Sequence, residues 1–95
     1  MPSAEPLLQR DADTLRFRGD LLVGAIAGLW TQAVASLDGV RRFDLADVGR
    51  VDSAGVALLA ELAQRAGGVV VDGDPAGLSA LRAAYRLTPA LAYAA

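Results

Sequence analysis

A serine sits directly after an aspartate where an alternating strand gives way to a helical run. The stretch runs from Phe43 to Leu62, and its turn reads Val51-Asp52-Ser53-Ala54-Gly55. A hydroxyl opening a helix reads first as an N-cap, its oxygen accepting a backbone N–H for about 1 kcal/mol. Beside the positive end of the helix dipole, Ser53 is also placed to contact a partner or accept a phosphate. It has no route to nucleophilic catalysis, because the chain contains neither His nor Lys to activate it. Cys is absent as well, and Asp44, Asp47 and Asp52 do not follow a calcium-loop pattern. The expectation is a protein without enzymatic activity, metal or cofactor. Gly55, inside the first turn, costs about 1 kcal/mol relative to Ala in a helix interior, and so suggests close backbone approach or a tolerant early position.

The helix that follows has two faces. Val56, Leu59, Leu62, Ala63 and Ala66 cluster on one side and are expected to face a sheet. Ala54, Ala57, Leu58, Glu61 and Arg65 fall on the other. That second face reads in two ways. It is an ordinary solvated face with a Glu61–Arg65 pair worth a few tenths of a kcal/mol, or a shallow docking patch. In the patch reading small Ala residues admit a partner, Leu58 anchors it, and Glu61 and Arg65 form a charged rim. A single exposed Leu is commonplace, so pattern alone favours the solvated face.

Alternation and breakers place the remaining elements. Leu7 to Arg10 and Thr14 to Arg18 read as a hairpin around Asp11-Ala12-Asp13, after a loose terminus over Met1 to Pro6. Gly19-Asp20 ends the second strand, and Asp20 is expected to cap the next helix. In that helix Leu22, Ile26, Leu29, Trp30, Ala33 and Leu37 recur at helical spacing, which places Trp30 in the core. Arg42 to Asp47 alternates again, with Phe43 and Leu45 on one face. Gly67-Gly68 stops the Ser53 helix. Val69-Val70-Val71 reads as a central strand buried on both faces, and Gly73-Asp74-Pro75 as the entry to a third helix with Pro75 at its first position.

The order β-β-α-β-α-β-α predicts one α/β domain over residues 1–95, with a mixed, mostly parallel sheet of four to five strands and helices mainly on one face. A 54% hydrophobic fraction supports a core. The net charge of −2, without a basic stripe, argues against nucleic-acid binding. Apolar runs are too short for a membrane span and no signal peptide is seen, so a cytoplasmic protein without direct membrane insertion is expected.

The strand, the Val51-Asp52-Ser53-Ala54-Gly55 turn and the Leu-rich helix together resemble the STAS domain family (sulfate transporter and anti-sigma factor antagonist). Arg18-Gly19-Asp20-Leu21 is similar to that family's Gly-Glu-Leu segment. The likeness covers about residues 10 to 87. Leu29-Trp30, Arg50-Val51-Asp52-Ser53 with Gly55-Val56-Ala57-Leu58-Leu59, and Tyr85-Arg86-Leu87-Thr88-Pro89 are most similar to the small cytoplasmic STAS subunits of bacterial phospholipid-transport ABC complexes. Departures are Ser at position 53 for Thr, Ala at position 54 for Gly, and an inserted Thr88. The resemblance implies an adaptor that binds the transporter's ATPase subunit, peripheral to the inner membrane through it. It also moves the weight toward docking at Ser53, Ala54, Ala57, Leu58, Glu61 and Arg65. The alternative it implies is a phospho-switched anti-sigma factor antagonist with Ser53 as phosphoacceptor.

Overall fold

Alternation builds the sheet as the sequence predicts. In β2 (Thr14–Arg18) and β3 (Arg42–Asp47), Leu15, Phe17, Phe43 and Leu45 point to one side and are fully buried. Phe17 and Phe43 meet edge to face, with ring centroids 5.4 Å apart. The residues between them point to the other side and pair across strands. Arg16 Nε lies 3.2 Å from Asp44 Oδ2, and Arg42 pairs with Asp72 of β4 (Val70–Asp72). The computed structural model describes residues 7–92; the loose terminus expected over residues 1–6 lies outside the described residues.

The four strands lie in the order β1-β2-β3-β4. β1 (Leu7–Asp11) forms an antiparallel hairpin with β2 through Ala12-Asp13, and the β2–β3 and β3–β4 pairs are parallel. Parallel neighbours require crossovers, and helices supply them. A 3-10 turn (Val23–Ala25) leads into α1 (Ile26–Ala35) between β2 and β3, and α2 (Ser53–Arg65) joins β3 to β4. α3 (Leu78–Ala84) follows β4. The helices cover the apolar side of the sheet and leave the Arg–Asp side open. The fold is therefore a small α/β domain with a mixed, mostly parallel four-stranded sheet among the described residues. None of the helices among those residues is long and apolar enough to cross a membrane.

Three local expectations are corrected. Val69-Val70-Val71 is not a central strand: β4 forms an edge of the sheet, and Val70 is 53% exposed on its open side. Val69 and Val71 pack toward the core, so an unbroken apolar run here hides an in-out alternation that periodicity could not reveal. The third helix does not begin at Pro75. Its N-cap is Gly77, at φ +92°. The preceding residues are held in an extended bridge, with Val51 N donating to Ala76 O at 2.9 Å and Ala76 N to Gly49 O at 3.3 Å. A Cβ on Gly77 would lie 2.5 Å from Val51 O, so glycine is required there by φ and by space alike. Finally, Asp20 does not cap the first helix. Leu22 holds the N-cap position without a side-chain bond, and Asp20 pairs with Arg50 at 3.4 Å.

Candidate functional site

The loops after β2, β3 and β4 meet at one end of the sheet, where open α/β folds commonly bind ligands in a crevice. Here backbone bridges knit the loops together. Gly19 N donates to Asp47 O at 3.2 Å, Leu21 N to Arg50 O at 3.0 Å, and Asp52 N to Leu21 O at 3.3 Å. The Val51–Ala76 bond continues the row toward α3. These bonds join the three loops to one another at that end of the sheet. An open, shallow cavity of about 380 Å³ lies elsewhere, against Ala60, Ala63, Gln64, Gly67, Gly68 and Leu91. It belongs to the far end of α2 from Ser53.

Asp52 organises the surface. Its Oδ1 accepts from Gly55 N at 2.9 Å, which makes Asp52 the N-cap of α2. Its Oδ2 accepts from Val23 N, also at 2.9 Å, at the start of the 3-10 turn that begins α1. One carboxylate thus satisfies an otherwise orphaned N–H at each of two helix starts. The N–H groups of Gly55 and then Val23 hold the Asp52 carboxyl below its ordinary range, by bonding to the charged form.

The cap assignment for Ser53 is therefore corrected. Ser53 is the first residue within the helix and is exposed. Asp caps as well as Ser does, and of the two adjacent candidates the one with extended backbone, Asp52 at φ −105° and ψ −173°, takes the role. Gly55 is buried, and a Cβ added there would collide with the Leu21 carbonyl oxygen. The close approach suggested by a glycine at this position is thus observed: α2 begins against the backbone of the loop after β2.

The second correction concerns Leu58. The helix face containing Ser53, Ala57, Glu61 and Arg65 is exposed and Ala54 is partly exposed, but Leu58 is only 3% exposed. The buried residues Gly55, Val56, Leu58, Leu59, Ala60, Leu62 and Ala63 occupy more than half the helix circumference. The reason is that α2 packs not only on the sheet but also against α1 on one side and α3 on the other. Leu58 lies on the α1 margin, next to Arg65, whose guanidinium sits 5.0 Å over the ring of Trp30 in α1. Leu58 is core and leaves the list of contact residues. Trp30, expected in the core, is half-buried at this same seam. The Glu61–Arg65 pair forms at 3.7 Å.

Sequence reasoning missed the second bond of Asp52 and the prominence of Val23, which is 71% exposed beside it. The first had a legible signal, since Asp is a preferred cap. The second had none, because the apolar stripe of α1 does not tell which residue its first turn leaves uncovered.

No protein-family model matches the chain. No curated protein matches it. Solved structures do, among them one described as "Crystal Structure Analysis of Mglu", with 26% identity and a TM-score of 0.52. The match covers 76% of this chain and 20% of the other, so this chain spans about a fifth of that protein's length. The likeness supports a small α/β domain.

Proposed function

We propose that this chain is a non-enzymatic STAS adaptor, similar to MlaB, that binds the cytoplasmic ATPase subunit of a phospholipid-transport ABC complex. It supports that subunit's assembly or activity and is cytoplasmic, peripheral to the inner membrane through its partner. The observation that carries this reading is the exposed strip of α2. Ser53, Ala54 and Ala57 offer a surface of small side chains that a partner backbone can approach closely. Glu61 and Arg65, joined to each other, form its polar rim. The knitted loops hold the strip at a fixed place on the domain. The element order and the Asp52-Ser53 turn at this position are those the STAS resemblance implies.

Titration of the purified ATPase subunit with this chain tests the reading. Ala57→Arg places a long charged side chain in the middle of the strip. At least a tenfold loss of affinity is expected, with an unchanged melting temperature. Wild-type affinity in Ala57→Arg, or no binding by the wild-type chain, overturns the reading.

One observation favours a second reading, the phospho-switched antagonist. Ser53 is exposed and its hydroxyl is released from capping by Asp52, so modification leaves the cap in place. Incubation with the cognate serine kinase and loss of the phosphorylated species in Ser53→Ala is the corresponding test.

A further inference from the structure

The Asp52 carboxylate spans two helices that a simple cap would leave independent. Gly55 N belongs to α2, whereas Val23 N belongs to the turn that opens α1, twenty-nine residues earlier in the chain. Around it, Leu21 N bonds Arg50 O and Asp52 N bonds Leu21 O, and Gly55 rests on Leu21. Besides Asp52, the first turn of α1 is held by its own Ala25 N–Leu22 O bond at 2.9 Å and by packing against α2. It lacks a side-chain cap of its own, none of its three residues is buried, and Val23 stands 71% exposed. The other charged groups on the loops after β2 and β3, Asp20 and Arg50, pair with each other, and the loop after β4 carries Asp74.

We propose that Asp52 is the positioning residue of the docking surface: by accepting from Val23 N and Gly55 N together, it locks the start of α1 to the start of α2 and presents Val23 and Ser53 as one rigid contact. This rests on the adaptor reading for its partner, the ATPase subunit, and extends the contact surface from α2 onto Val23. A partner that engages Ser53 then meets an apolar side chain held in register. The ordering has been completed before binding, which lowers the entropic cost of the complex.

Two measurements test the lock, one without any partner. In the isolated chain, the amide proton shifts of Val23 and Gly55 are followed by NMR from pH 7 downward. Both amides bond one carboxylate, so they are expected to titrate with a shared midpoint, and to lose that titration together in Asp52→Asn. Exchange of the Val23 amide with solvent is expected to quicken roughly fivefold in Asp52→Ala, the fold-change of a lost cap, while Leu59 and Leu62 keep their protection. A residue that only caps α2 would move Gly55 and leave Val23 unchanged, and that outcome overturns the proposal.

The second measurement is a double-mutant cycle for Asp52→Asn and Val23→Ser in binding to the ATPase subunit. Each single variant is expected to weaken binding several-fold, and the double variant by less than their product, because Val23 contributes only while Asp52 holds it. Multiplicative losses overturn the proposal. If the wild-type chain does not bind the subunit, the adaptor reading fails and the claimed docking role falls with it. Shared titration in the isolated chain would still mark Asp52 as the lock between the helices.

Discussion

α2 and α1 are built in opposite ways, although each crosses over between parallel strands on the same side of the sheet. α2 has a side-chain cap in Asp52, seven buried residues in thirteen, and a glycine seated on the neighbouring loop. α1 starts through a 3-10 turn, has no side-chain cap, and buries Leu29 and Ala33 among its ten residues. From Leu21 to Leu37 it carries no charged side chain. Gly24 and Gly28 have nothing within 4 Å of where a Cβ would stand. One helix is the beam of the domain. The other leans on it through Trp30 and Arg65 at one end and Asp52 at the other. The difference shows why the candidate contact residues collect on α2: only a helix held from three sides can fix the position of its one free strip.

The largest expected effect breaks that beam. Leu58→Asp should unfold the domain as thoroughly as Leu59→Asp does, because each would bury an unpaired carboxylate at a cost of several kcal/mol. Circular dichroism of both variants checks this. A folded Leu58→Asp chain would return Leu58 to the surface and shrink the buried arc of α2.

Glycine sharpens the contrast between the helices. Gly55→Ala drives a methyl group into the Leu21 carbonyl, and a loss of about 1–3 kcal/mol is expected from such overpacking. Gly28→Ala in α1 meets open space and should stabilise by about 0.5–1 kcal/mol through helix propensity. Midpoints of urea unfolding, measured side by side, should move in opposite directions. Movement in the same direction would remove the packing distinction between the two helices.

Much of this was legible in the sequence. Leu15, Phe17, Phe43 and Leu45 alternate, and a period of two with polar partners admits one sheet face. The hairpin, the crossovers and the stop at Gly67-Gly68 followed from breakers of the same kind. The glycine at position 55 pointed to a close approach or to a tolerant early position, and the Leu21 carbonyl against it decides for the first. What stayed hidden depends on neighbours. Leu58 lies just beyond the sheet-facing stripe, and the packing of neighbouring helices on α2 widens the buried arc to include it. Val70 shares an apolar run with two inward residues, and only the strand order reveals it as an edge. Ser53 and Asp52 compete as caps with equal chemistry, and the backbone angle at Asp52 decides.

The joint between the helices should respond to acid. Asp52 is held ionised below the ordinary carboxylate range by the N–H groups of Gly55 and Val23, and Asp44 by Ala46 N–H and then by Arg16. A lowered native pKa means that the stabilising contribution is fully present above the unfolded value of about 4. It is lost as pH falls from there through the lowered native value. Asp52→Ala should cost about 1–2 kcal/mol at neutral pH. It should also flatten the acid limb of the stability profile, to which Asp44 still contributes. An acid limb identical to wild type would show that the Asp52 bonds contribute nothing to folding.

The smallest effect separates structure from contact at a single residue. Were Ser53 the cap, Ser53→Ala would cost about 1 kcal/mol. Because Asp52 holds that role and Ser53 is exposed within the first turn, the substitution should change stability by less than about 0.5 kcal/mol, as is usual for a surface site. Ala also has the better helix propensity. If the proposed ATPase partner binds, any loss of affinity for it in Ser53→Ala would then report the hydroxyl's own contact, undiluted by unfolding. Ser53→Thr keeps that hydroxyl and should restore the affinity. A stability loss near 1 kcal/mol in Ser53→Ala, rescued by Thr, would hand the cap back to Ser53 and leave Asp52 to Val23 alone.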